Sequence, residues 1–120
     1  MIVDDEKSFA DLMALVLKEH LSCPVTTFYR PEDALAALPE MDVGVIVTDY
    51  YMPEINGLDF LRRASSIKPT IPFIMITGHS ASLQQTDFSD ITQLTNVLAK
   101  PFGARALADE ILKHWPEAAK

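Results

Sequence analysis

The most restrictive feature of this sequence is the run Val43-Gly44-Val45-Ile46-Val47, apolar at every position and followed within two residues by Asp49. A strand with one face in water alternates apolar and polar residues. A run without alternation belongs to a strand covered on both faces, as in a parallel sheet enclosed by helices. Pro72-Phe73-Ile74-Met75-Ile76 repeats the pattern and ends at Thr77-Gly78. Ile2-Val3 and Val97-Leu98-Ala99 are shorter runs of the same kind, and Pro24 to Phe28 is short and β-branched, which also predicts a strand. Stretches with helical spacing lie between them. Ser8 to Leu21 reads as a helix capped by Ser8, with Phe9, Leu12, Met13, Val16 and Leu17 on one face. A second helix opens at Pro31, presents Ala34, Leu35 and Leu38, and stops at Pro39. Leu58 to Ile67 and Ala104 to Trp115 are two more. Ala81 to Thr95 is polar and predicts a short or broken helix, the mobile part of the domain. Strand and helix alternating five times predict a doubly wound α/β fold, with ligands bound at the carboxyl ends of the strands.

At 120 residues there is room for one domain, residues 1–120. The formal charge of −7 argues against binding nucleic acid through phosphates and against docking on anionic lipid. One cysteine, Cys23, excludes an internal disulfide and fits a reducing compartment. The sequence shows neither a signal-peptide pattern nor an apolar run of about 20 residues, so the expected location is the cytoplasm.

The residues that leave the strands are Asp4 and Asp5 after the first, Asp49 after the third, Thr77 after the fourth and Lys100 after the fifth. Each alone has a simpler account. The Asp4-Asp5 pair can cap a helix, Asp49 can form an Asx-turn before Pro53, Thr77-Gly78 can be a turn, and Lys100 can be a solvated lysine. His79 has no second histidine or cysteine near it, which favours a surface role over metal ligation. Together they place three carboxylates, a hydroxyl and an ammonium around one rim. Clustered carboxylates need a cation or shifted pKa values. Oxygen-only ligands favour Mg²⁺. A carboxylate-held metal beside a lysine and a hydroxyl is equipment for phosphoryl transfer, with Asp49 as the natural nucleophile.

These stretches resemble the receiver domain of bacterial two-component response regulators. The resemblance is carried by Ile2-Val3-Asp4-Asp5-Glu6, by Val47-Thr48-Asp49 running on through Tyr50-Tyr51-Met52-Pro53 to Asn56-Gly57, by Met75-Ile76-Thr77-Gly78-His79, and by Leu98-Ala99-Lys100-Pro101-Phe102. It implies a flavodoxin-like (βα)5 fold with strand order 2-1-3-4-5. It implies Asp49 as phosphoacceptor, and Asp5, Asp49 and the backbone carbonyl of Tyr51 as the Mg²⁺ set, with Asp4 supporting. Thr77 and Lys100 would sense the phosphoryl group, and Gly78 would leave its pocket open. The implied phosphoryl donor is a phosphohistidine on a sensor histidine kinase or histidine phosphotransfer protein, and the output is altered binding of an unidentified partner. Tyr51 and His79 stand at the variable positions that flank attacking water. Val97 stands where many receivers carry an aromatic switch residue, and valine cannot copy that swing. A phosphatase of the haloacid-dehalogenase kind is disfavoured, because Tyr51 replaces its second acid and the paired acids come first in the chain. A pseudo-receiver that only binds a partner is the remaining alternative. No Gly-rich phosphate loop follows the first strand.

Overall fold

The computed structural model describes residues 1–52, 54–77, 94–99 and 104–118. Its strands are β1 (Ile2–Val3), β2 (Thr27–Phe28), β3 (Ile46–Asp49), β4 (Phe73–Thr77) and β5 (Leu94–Ala99). All four pairings are parallel, in the order β2-β1-β3-β4-β5, as the flavodoxin-like expectation requires. The helices are α1 (Lys7–His20), α2 (Pro31–Ala37), α3 (Gly57–Ile67) and α4 (Ala104–His114), with 3₁₀ turns at Leu38–Glu40 and Pro116–Ala118.

Successive strand residues point to opposite faces, and here both faces are covered. Ile2, Val47, Ile74 and Ile76 pack with Met13, Leu17, Leu107 and Ile111 of α1 and α4. Val3, Ile46, Phe73 and Met75 pack with Ala34, Phe60, Leu61 and Ala64 of α2 and α3. Each large side chain so buried contributes about 1.5–3 kcal/mol, which is why the central strands carry apolar residues without alternation. The Trp115 ring occupies the space that a side chain on Gly44 would fill.

Several sequence expectations need correction. Ser8 is inside α1, and the cap position belongs to Glu6, whose side chain makes no capping hydrogen bond. The buried stripe of α1 is Ala10, Met13, Ala14 and Leu17, while Leu12 is 57% exposed. Leu12 lies a quarter turn from that stripe, so apolar character alone misplaced it. The second strand keeps only Thr27–Phe28 of the expected Pro24 to Phe28. α2 ends at Ala37, and Pro39 sits within the following 3₁₀ turn instead of stopping the α-helix itself. The third and fourth strands start later and run further than expected, so Asp49 and Thr77 are their last residues rather than residues just beyond them. The last strand begins at Leu94, three residues before Val97, with a register irregularity opposite Phe73 and Ile74 that leaves Thr95 unpaired. The expected helix at 81–95 therefore loses its last two residues to β5, and its remainder lies outside the described residues.

Candidate functional site

The site is built from three strand ends. Asp4 follows β1, and its amide donates to the Phe28 carbonyl at 3.0 Å, continuing the pairing with β2. Its side chain is fully buried, and Oδ1 accepts from the Glu6 amide at 2.9 Å. That bond is an Asx-type turn that leads the chain into α1, two residues ahead of the cap position at Glu6, so Asp4 does not cap the helix as the sequence suggested. The turn leaves Asp5 exposed on the rim. Asp49 ends β3 and is 4% exposed. The Tyr50 amide donates to the Ile76 carbonyl at 2.9 Å, which holds the chain in the sheet one residue past Asp49. Thr48 Oγ1 donates to the Asp49 carbonyl at 3.0 Å.

Each of Asp4, Asp5 and Asp49 offers a carboxylate oxygen, and these oxygens lie within 4.8 Å of one another. Three carboxylates this close repel, and two of them are shielded from water, so the cluster is stable at neutral pH with a cation among them. A donor set made only of oxygen fits Mg²⁺, a hard cation that usually retains several waters. The residues present therefore fit the ion that the sequence implies.

Thr77 is the next strand end. It closes β4, is fully buried, and stands level with Ala99 of β5. Lys100 is next in sequence after Ala99, but Lys100, Gly78 and His79 lie outside the described residues. Val97 pairs with Met75 inside β5. Tyr51 is 41% exposed, and its ring meets Tyr50 edge-on at 4.8 Å between centroids.

The turn after Asp49 is fixed by α3. The Gly57 amide donates to the Tyr50 carbonyl at 2.7 Å, and Asn56 caps the helix by accepting from the Asp59 amide at 2.8 Å. A Cβ on Gly57 would stand 2.6 Å from the Asp49 carbonyl oxygen and 2.8 Å from the Tyr50 Cα. Glycine lets the helix come that close to the back of the acidic cluster.

Sequence reasoning missed one group. Arg30 Nη2 lies 3.0 Å from Glu32 and 3.1 Å from Glu54, and all three line a cavity of about 290 Å³ together with Asp5, Tyr29 and Pro31. The available signal was a cation at a helix cap directly before Pro31, where a small polar residue is usual.

Comparison with known proteins agrees with this geometry. The sequence profile of the response regulator receiver domain matches residues 1–112. The chain is similar to the response regulator receiver protein CpdR of Brucella abortus, at 33% identity over 94% of this chain and 92% of CpdR. It is 38% identical to the transcriptional regulatory protein FixJ of Rhizobium meliloti over 65% of this chain, but spans only 38% of FixJ. Among solved structures, a CheY-like receiver domain from Methanospirillum hungatei matches with a TM-score of 0.85 and 26% identity, over 98% of this chain and 92% of that one.

Proposed function

The chain belongs to the response regulator receiver domain family, whose members are phosphorylation-controlled signalling modules, and from that premise we propose that Asp49 is its phosphoacceptor. One observation carries the reading. Among the described residues the buried polar or charged side chains are Asp4, Thr48, Asp49 and Thr77, and all four stand at the carboxyl edge of the sheet. Two of them are carboxylates that share this edge with Asp5, and buried charge of one sign is costly unless a cation offsets it.

In this reading a carboxylate oxygen of Asp49 attacks the phosphorus of a phosphohistidine. The new P–O bond forms as the P–N bond breaks, and the imidazole of the donor leaves. Asp49 is held for this by the sheet on one side and by the Thr48 hydroxyl at its own carbonyl. Asp5, Asp49 and the Tyr51 carbonyl would hold Mg²⁺, with Asp4, anchored by the Glu6 amide, supporting them. The ion, when bound, neutralises charge that builds on the phosphoryl oxygens. Thr77 donates its hydroxyl to a phosphoryl oxygen, and Lys100 places a positive charge there. Gly78 leaves the pocket open, while Tyr51 and His79 govern the access of water to the acyl phosphate. The donor is a sensor histidine kinase or a histidine phosphotransfer protein in the cytoplasm. The output is a change in partner binding, and the chain acts on its own aspartate, not on a separate substrate. The receiver domain spans residues 1–120. Three carboxylate oxygens within 4.8 Å of one another support this reading over a pseudo-receiver that only binds a partner.

Intact mass spectrometry after incubation with acetyl phosphate and Mg²⁺ tests the assignment. One phosphoryl group is expected on the wild-type chain and none on Asp49→Ala. Incorporation that survives Asp49→Ala places the acceptor elsewhere.

A further inference from the structure

Arg30 breaks a local rule. It occupies the cap position of α2, where its side chain makes no capping hydrogen bond, and it puts a positive charge at the positive end of a helix. Its guanidinium turns instead toward two carboxylates. One is Glu32 in the first turn of α2, at 3.0 Å, and the other is Glu54, at 3.1 Å. Glu54 is 24 residues away in sequence and stands three residues after Tyr51, in the connection between β3 and α3. The cavity these side chains line also includes Asp5.

We propose that Arg30 is a positioning residue, which ties the β3–α3 connection to the start of α2 and so holds the Tyr51 carbonyl in place for a divalent cation at Asp5 and Asp49. The cation half of this rests on the proposed function, while the tie itself does not. The far end of the connection is already fixed, because the Gly57 amide is bonded to the Tyr50 carbonyl at 2.7 Å and Asn56 caps α3. Residues 51–55 lie between these anchors, and the Glu54 side chain reaches out of them to Arg30. The same guanidinium also keeps Glu32 and Glu54 from adding two uncompensated carboxylates beside Asp5. Its pKa is raised, chiefly by Glu54 and then by Glu32, in keeping with that pairing.

Hydrogen exchange on the metal-free protein reads the tie. Exposed ion pairs reach about fivefold in an equilibrium, so the amides of Tyr51, Met52, Glu54 and Ile55 are expected to exchange up to about fivefold faster in Arg30→Ala and in Glu54→Gln. The charge-exchanged double variant, Arg30→Glu with Glu54→Arg, keeps the pair across the connection and the net charge but loses the contact with Glu32, and should bring exchange back toward the wild-type rate, below that of either single variant. Unchanged exchange in either single variant, or a double variant as fast as the singles, overturns the tie. Calorimetric titration with Mg²⁺ at physiological salt then reads the consequence. Both single variants should bind more weakly, Glu54→Gln the more so, and the double variant should recover. A field effect alone predicts opposite signs, since Arg30→Ala adds negative charge to the rim and Glu54→Gln removes it. Tighter binding by Arg30→Ala overturns the positioning role. A wild-type chain that takes up no Mg²⁺ overturns the cation half together with the metal reading, and leaves the exchange result to decide the tie.

Discussion

Replacing Gly57 with alanine should damage the site more than its single methyl group suggests. The new Cβ would lie 2.6 Å from the Asp49 carbonyl oxygen, 2.8 Å from the Tyr50 Cα and 3.2 Å from the Asp49 carbonyl carbon. All three are backbone atoms, so no side chain can rotate away. Ordinary contact begins at 3.4 Å, and the helix start and the strand end must separate by most of an ångström. Overpacking of this kind costs about 1–3 kcal/mol, and a rigid backbone obstacle belongs at the upper end. Alanine returns up to about 1 kcal/mol by restricting the unfolded chain. The net expectation is a loss of about 2 kcal/mol, or a fall of roughly 8 °C in Tm for a domain of this size.

The same displacement has a second reading. The Gly57 amide bond to the Tyr50 carbonyl is 2.7 Å long, and it must stretch or break as α3 moves off. Asp49 immediately precedes Tyr50, so a shift of most of an ångström reaches the nucleophile, where a 1 Å error can cost about 100-fold in rate. Urea denaturation gives the stability change, and phosphoryl incorporation from acetyl phosphate, measured at a temperature where the variant is fully folded, gives the rate. A variant as stable as wild type that incorporates phosphate at the wild-type rate would refute the close-approach argument.

Gly44→Ala supplies the contrast, because its Cβ would meet the Trp115 ring, a side chain that can swing aside. We expect about 1 kcal/mol of destabilisation and a red shift in the fluorescence of this single tryptophan, with phosphoryl incorporation unchanged. Mg²⁺ at 100 times its Kd should stabilise the folded chain by about 2.7 kcal/mol, and Asp5→Ala should remove the response, as thermal melting will show. An equal response in Asp5→Ala would mean that the ion binds elsewhere. In the 120-residue chain prepared with a free amino group, burial lowers the Met1 ammonium from 8.0 to about 6, against a smaller opposing pull from Cys23. The unfolded chain therefore binds more protons between these values. Stability should rise by about 2 kcal/mol from pH 6 to pH 8, and acetylation of the amino group should flatten the profile.

The sheet was legible because its central strands had no choice of composition. Ile46-Val47 and Phe73 to Ile76 place consecutive residues on opposite faces that are both covered, so they are apolar throughout and visible to any reading for burial. Edges were harder. β2 retains two residues of an expected five, since only Thr27 and Phe28 pair with β1. β5 begins at Leu94, in a Thr-Asn stretch that looks like a loop, because its place in the sheet depends on backbone pairing to β4 across an irregularity and not on an apolar run. The inner face of α1 was half legible. Met13 and Leu17 are buried as spacing predicts, but Leu12 is apolar and faces water, because the stripe is completed by the small residues Ala10 and Ala14, which a reading for large apolar side chains passes over.

The acidic cluster was legible for a different reason. Strand topology converts sequence position into spatial position: whatever follows a parallel strand arrives at one edge, so Asp4, Asp5 and Asp49 could be gathered before any coordinates were known. Topology says nothing of what a long side chain reaches. Arg30 stands two residues after β2, and its guanidinium meets Glu54 only because the β3–α3 connection folds back toward α2. Gly57 is similar, since its meaning is a distance to the Asp49 carbonyl that no spacing encodes. In both places a local preference gives way: a cation stands at a helix cap, and the first residue of a helix has no side chain. Each departure lies beside the three carboxylates. At Gly57 the reason is a distance to the Asp49 backbone, and at Arg30 it is a pair of carboxylates that line one cavity with Asp5, so in both places contacts distant in sequence outweigh helix propensity.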